Sequence, residues 1–334
     1  MYSRRAFGKI ALAGLPLARS FAAVNSTFSG VRIGCQSACF TYSGIGIDGI
    51  VKTMVDVGLA EIDVMSEHVE NYLGGPVQLP GTGRPGPQRP VEGASAGGGG
   101  RGPGAAGFSG RGGRGGSGGA GFVRDPAARE ALRQWRLGIS LDRYREVAKK
   151  FTDAGLKFYS LNLSFADDFT DAEIDKGFQM TMALGTKIIT ASSPTSVFPR
   201  LKPYAEKYDV IVALHNHTNG PDDFSKVMAM SKNFWVNLDV GHFFASGYDP
   251  IAYLKQYHSR ITNIHIKDRN KNQGAEMPFG EGQTPLKETL LLLAKEKYDF
   301  PACIEYVGPG GPAVELSKCF QYCKDVLSTN ACGA

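Results

Sequence analysis

The chain has 334 residues, and 48 of them, residues 74–121, hold 21 of its 43 glycines and 6 of its 18 prolines. Such a segment buries too little apolar surface to offset its ordering entropy. With the first 22 residues also set aside, about 264 remain to fold, which is the size of one α/β barrel. The formal charge of +5 comes from that segment, with five Arg against Glu92, and from Arg4, Arg5, Lys9 and Arg19; the remaining body is near −3, so the pI of 8.8 does not signal a nucleic-acid partner.

The amino end reads Ser3-Arg4-Arg5-Ala6-Phe7-Gly8-Lys9, then an apolar run from Ile10 to Leu17, then Ser20-Phe21-Ala22 with small residues at the positions a signal cleavage needs. It resembles a twin-arginine export signal over residues 1–22, which implies a periplasmic or otherwise exported protein. The apolar run is too short to cross a membrane at about 20 residues per span, so no stable membrane insertion is expected. Because that route carries folded proteins, the signal also points to a metal loaded before export.

Along the body, short β-branched runs alternate with amphipathic stretches. Strands are expected at Val31–Gln36, Ala60–Met65, Phe158–Leu163, Lys187–Thr190, Val210–Leu214, Trp235–Val240, Asn263–Lys267 and Ala302–Val307. Helices are expected at Asp48–Val57, Leu141–Ala154, Asp171–Leu184, Phe198–Lys207, Phe224–Met230, Pro250–Tyr257, Pro285–Lys297 and Ala313–Leu327. In the second of these, Tyr144, Val147, Ala148 and Phe151 recur at helical spacing. Strand–helix pairs in this order predict an α/β fold, a (β/α)8 TIM barrel forming a single domain over residues 30–330.

The Gly/Pro/Arg segment 74–121 interrupts that barrel after the second strand, on the rim where such barrels keep their active sites. It reads as a disordered loop, with a mobile lid or a surface anchor as the functional alternatives. Its Ser109–Gly116 core looks like an arginine–glycine tract, but export argues against nucleic acid.

Six cysteines in an exported chain raise the question of disulfides. Cys35 and Cys39 read as one strand, which at about 3.3 Å per residue sets them some 13 Å apart, too far for a bridge. Cys319 and Cys323 lie one helical turn apart, Cys332 sits on the tail, and no Cys-x-x-Cys spacing occurs.

The chemistry collects at the carboxyl ends of the later strands: Leu214-His215-Asn216-His217, Asp239-Val240-Gly241-His242, Ile264-His265-Ile266-Lys267-Asp268 and Cys303-Ile304-Glu305-Tyr306. A parallel barrel brings these ends to one rim, so His215, Asp239, His265 and Glu305 can converge. Mixed imidazole and carboxylate ligands suit one divalent ion, Mn²⁺, Co²⁺, Fe²⁺ or Zn²⁺, with Mg²⁺ less natural beside two nitrogens.

Those strand ends, with Asn237-Leu238-Asp239-Val240-Gly241-His242, His265-Ile266-Lys267-Asp268 and Phe279-Gly280-Glu281-Gly282, resemble the xylose-isomerase-like TIM barrels known as sugar phosphate isomerases/epimerases. That group includes ketose 3-epimerases, hydroxypyruvate isomerase, inosose dehydratase and, more distantly, endonuclease IV. The resemblance covers Gly30 to about Leu327 apart from the insert. It implies one divalent ion held by Asp239, His265 and Glu305, with a glutamate on the fifth strand where this chain has His215. In the ketose epimerases the two metal-bound glutamates also move the proton next to the carbonyl. Here only Glu305 is left of that pair, so a second acid/base is sought among His242, His217 and Lys267; otherwise the chemistry is one-sided, as in dehydration or aldose–ketose isomerisation.

His242 matches a position that contacts substrate oxygen, or else orients Asp239. Lys267 shares the inward face of His265 and either binds a substrate hydroxyl or carboxylate or pairs with Asp268. Asp63 either faces the pocket as a substrate contact or is a solvated rim acid, and His217 is a further substrate contact. Glu281 is read as a turn residue near Thr284 rather than a pocket residue. An endonuclease IV-like enzyme would need histidines after strands two and three, where Met65-Ser66 and Leu163-Ser164 stand. The expected activity is therefore metal-dependent isomerisation or epimerisation of a small polyhydroxy carbonyl compound. The alternatives are a dehydratase or lyase acting on a keto sugar or inosose, and a non-catalytic sugar-binding barrel. No Gly-rich phosphate loop opens a helix, so a free or oxidised sugar is favoured over a sugar phosphate. The sequence leaves the oligomeric state open.

Overall fold

The computed structural model describes residues 24–79 and 125–329. The expected export signal and all but the first residues of the glycine-rich insert lie outside them. The expected barrel is present: parallel strands β1 (Val31–Gln36), β2 (Glu61–Met65), β3 (Lys157–Asn162), β4 (Ile188–Ala191), β5 (Ile211–His215), β6 (Phe234–Asp239), β7 (Ile261–Ile266) and β8 (Ala302–Ile304) pair in sequence order. The sheet closes where β8 pairs with β1, with Cys35 opposite Ile304. A two-residue strand, Thr27–Phe28, adds antiparallel to β1 outside the barrel.

Helices α1 (Ile47–Val57), α2 (Ser66–Tyr72), α3 (Pro126–Gly138), α4 (Leu141–Asp153), α5 (Asp171–Ala183), α6 (Phe198–Tyr208), α7 (Pro221–Met230), α8 (Val240–Ala245), α9 (Pro250–Tyr257), α10 (Leu286–Glu296) and α11 (Pro312–Thr329) surround the sheet. Apart from α3, whose Leu132 packs on Val77 in a small separate cluster, their apolar faces join the strand side chains in one continuous core. No helix among the described residues is long and apolar enough to cross a membrane.

Three local differences from the sequence expectations have physical causes. Helix α3 was not expected, because its inner face is charged. Arg136 is buried there, with Nε 2.7 Å from Glu70 Oε1 on α2 and Nη1 2.8 Å from Glu173 Oε1 on α5. Its start is nonetheless signalled, since Asp125 caps the first turn and Pro126 opens it. The second difference is that the insert departs from the barrel later than residue 74. Val77 packs on Leu132 and its carbonyl accepts from Asn71 Nδ2 at 2.7 Å. The third is that Cys39 does not continue β1. A 3-10 turn, Ser37–Phe40, folds it back, so its thiol accepts from the Tyr306 amide at 3.3 Å and lies beside Cys35. The 13 Å separation expected for an extended chain is thereby overturned; both cysteines are free thiols.

Candidate metal centre

Strand register decides which side chains meet. Asp239 stands opposite His265, and His215 opposite Asn237. Because alternate residues share a face, Asn237 and Asp239 both point inward from β6, and His265 and Lys267 from the end of β7. One ligand atom from each of His215, Asp239, His265 and Glu305 can be chosen so that all four lie within 4.8 Å of one another, and all four residues are buried.

Each is aimed by a partner. His215 Nδ1 lies 2.7 Å from Asn237 Oδ1, while Asn237 Nδ2 donates to the Asn263 carbonyl at 3.2 Å. The amide is thus fixed with its oxygen toward the ring, Nδ1 must donate, and Nε2 keeps a free lone pair. Burial, then the neighbouring His265 and His217, hold the His215 pKa well below its ordinary value. Asp239 ends β6 and caps α8, accepting from the His242 amide on Oδ1 at 2.7 Å. Helix α8 crosses directly over β7, and only glycine fits there: a Cβ on Gly241 would lie 2.3 Å from the Lys267 carbonyl oxygen.

His265 lies between two carboxylates, with Nε2 3.0 Å from Asp63 Oδ2 and Nδ1 2.8 Å from Glu305 Oε2. Burial alone would lower its pKa, but Asp63 and Glu305 outweigh it and raise it to about 10. Asp63 also accepts from Thr190 Oγ1, 3.0 Å from each carboxylate oxygen. It is fully buried with its carboxylate against His265, so it is not a solvated rim acid. Glu305 follows β8, and its Oε1 lies 3.0 Å from Lys267 Nζ. Burial would raise the Glu305 carboxyl, yet Lys267 and His265 hold it well below the usual range. Lys267 pairs with Glu305 and, at 3.6 Å, with Glu276, not with Asp268. The Asp268 carboxylate instead accepts the amides of Gly280, Gly282 and Thr284, organising the turn in which Glu281 is exposed.

The donor set fits a divalent cation on structural grounds. Asp239 Oδ2 and His265 Nδ1 are buried without a hydrogen-bond partner, the latter because its close approach to Glu305 is poorly aligned for one. Burial, followed by the charge of Glu305, lifts the Asp239 pKa to about 7. Two carboxylates, Asp239 and Glu305, converging with two inward imidazoles make a pocket that a cation neutralises.

His217 and His242 lie above this cluster with ring centroids 4.8 Å apart. His217 Nε2 meets Ser192 Oγ at 3.2 Å, and His242 Nδ1 meets Arg269 Nη1 at 2.6 Å. Asn216, Asn237, Ser192, Thr190, Arg269 and Glu276 were missed from sequence. Arg269 and Asn237 carried a signal, since each lies two residues from a picked residue on the same face.

Among curated proteins, an inosose dehydratase of Clostridium beijerinckii is 35% identical over 75 residues, which is 21% of this chain and 25% of that protein. The chain therefore matches about a quarter of that relative's length. Among solved structures, the IOLI protein with a bound zinc atom superposes with a TM-score of 0.57 at 16% identity, covering 90% of this chain and 99% of that one. A sugar phosphate isomerase/epimerase from Parabacteroides distasonis superposes with a TM-score of 0.55 at 15% identity, covering 91% and 96%. The family model for the xylose isomerase-like TIM barrel matches residues 125–323. The chain belongs to the xylose isomerase-like TIM barrel family.

Proposed function

We propose that this protein is an exported, divalent-metal-dependent isomerase or epimerase that acts on a small polyhydroxy carbonyl compound through an enediolate. The observation that carries this reading is the convergence of His215, Asp239, His265 and Glu305 within 4.8 Å, with Asp239 Oδ2 and His265 Nδ1 buried and without a hydrogen-bond partner. Such an ion supplies a Lewis acid for the substrate carbonyl and for the charge of the enediolate.

The protein's own residues divide the rest. Glu305 is the carboxylate placed to take the proton from the carbon next to the carbonyl. Lys267 stays an ammonium between Glu305 and Glu276 and donates to a substrate oxygen. His217 and His242, with rings 4.8 Å apart, form a separate imidazole edge of the site. Asp63 and Asn237 hold the two ligand imidazoles in place. A proton returned by Glu305 to the adjacent carbon gives isomerisation; one returned to the original carbon from the imidazole side gives epimerisation. Family membership supports the reading, and the resemblance of residues 1–22 to a twin-arginine signal supports export of a protein folded around its metal.

The test is incubation of purified protein with Mn²⁺ and a panel of ketoses and keto-glycosides in D₂O. Deuterium should enter next to a carbonyl, and Glu305→Gln should stop it. A panel that exchanges no proton while Mn²⁺ is bound would replace the enzyme by a sugar-binding barrel.

A further inference from the structure

We propose that Arg269 is a positioning residue that locks His242 as the tautomer protonated on Nε2, so that His242 enters the reaction as a hydrogen-bond donor to substrate and not as the second base. The inference rests on reading this cluster as the reaction site. A guanidinium has donors only, and Arg269 Nη1 lies 2.6 Å from His242 Nδ1. Nδ1 must therefore carry the lone pair, and the single ring proton sits on Nε2. That nitrogen faces the metal centre, 3.8 Å from Asp239 Oδ2.

The guanidinium is itself held. Its Nε and Nη2 donate to the Gly274 carbonyl at 3.1 and 2.7 Å, and the Arg269 amide donates to Thr284 Oγ1 at 2.9 Å. The loop that carries Gly274 is closed by an antiparallel bridge between Arg269 and Glu276 and by a hydrogen bond from the Asn270 amide to the Ala275 carbonyl. Asn272 and Gln273 both take left-handed φ of 56°, a conformation that costs about 1 kcal/mol or more for a non-glycine residue. Gln273 then donates from its amide to the Ala245 carbonyl and from Nε2 to Ser246 Oγ. The loop is thereby fastened to the end of α8, the helix that carries His242. One hairpin thus places Arg269 on His242 and Glu276 on Lys267.

The test uses full-length protein labelled with ¹⁵N-histidine, both chelator-stripped and loaded with diamagnetic Zn²⁺. His242 is assigned among the six histidines by the signal lost in His242→Gln. Wild type should show a pyridine-like Nδ1 and a pyrrole-like Nε2 at His242. Arg269→Met should move both signals toward the mixture of tautomers of a free imidazole. Arg269→Lys should restore the wild-type pattern, because an ammonium also only donates. A pyrrole-like Nδ1 in wild type, or a pattern unmoved in a folded Arg269→Met protein, overturns the proposal; if Arg269→Met fails to fold, wild type and Arg269→Lys decide. Zinc-dependent shifts of His215 and His265 report separately on the metal centre, so its failure is distinguishable from failure of the lock.

Discussion

Asn216 and Asp239 grip each other's strands by a reciprocal pair: the Asn216 side chain donates to the Asp239 carbonyl at 3.0 Å and accepts from the Asp239 amide at 2.9 Å. Asn216 sits between His215 and His217, so this pair sets the height of the β5 end against the β6 end. It acts on a ligand without touching the cation. Asn216→Ala should leave a folded barrel that holds Mn²⁺ about 10–100-fold more weakly, the usual cost of losing a residue that orients a ligand. Calorimetric titration with Mn²⁺ measures this, and unchanged affinity would mean that the β5–β6 backbone ladder alone positions Asp239.

Arg136 is buried between Glu70 and Glu173, and Arg129 adds a 2.7 Å contact to Glu173 Oε2. This network joins α2 and α3, the helices on either side of the long insert, to α5. Glu173→Ala would take one carboxylate from each of two buried guanidinium groups, leaving Arg136 with Glu70 and Arg129 with Asp168, and removing one partner of a buried pair costs up to about 3–5 kcal/mol. Urea denaturation should show a loss of that order. A loss below about 1 kcal/mol would fit a surface pair and would show that water reaches the two arginines.

His68, on α2, is fully buried with Nδ1 3.1 Å from Ser37 Oγ and Nε2 unpartnered. Burial lowers its pKa to about 4. The group is thus neutral in the folded chain at pH values where the unfolded chain already binds a proton. Above the unfolded value near 6.5 it has no effect on stability; as pH falls from there toward 4, stability is lost, by up to about 3 kcal/mol. Denaturation curves of wild type and His68→Gln should agree near pH 7.5 in slope against pH and diverge between pH 6.5 and 4. Parallel slopes through that window would mean that His68 protonates in place.

Strand order and the ring of strand-end ligands were legible because both follow from periodicity: β-branched runs mark the strands, and chemistry at His215, Asp239, His265 and Glu305 recurs where runs end. What was illegible depends on contacts distant in sequence. Helix α3 hides its buried face behind Arg129 and Arg136, whose partner Glu173 comes far later in the chain. Asp63 looks like a rim acid until the barrel closes and its carboxylate meets His265 across 202 residues. Cys39 misleads because a 3-10 turn directly after a strand leaves no apolar period to read.

His215 stands where the resembling epimerases have glutamate, and the geometry says what restoring it should do. The His215 ring gives Nδ1 to Asn237 Oδ1 and keeps Nε2 for the cation. In His215→Glu a carboxylate reaches the same space, the ligand set gains one negative charge, and preference should shift toward harder ions such as Mg²⁺ or Mn²⁺. The exchange has a cost, because Asn237 Oδ1 loses its donor and its amide cannot turn without giving up the Asn263 carbonyl. A buried acceptor left unpaired costs about 1–3 kcal/mol of stability, so the variant should melt earlier while retaining metal. If the native site lacks a second metal-bound base, His215→Glu should also raise deuterium exchange at the carbon next to the carbonyl, by part of the factor of about 10²–10⁴ that a positioned base supplies. His215→Ala removes the ligand outright and should release the ion on dialysis. Metal analysis showing full occupancy in the alanine variant, with unchanged exchange, would mean that β5 contributes no ligand and that Asp239, His265 and Glu305 hold the ion alone.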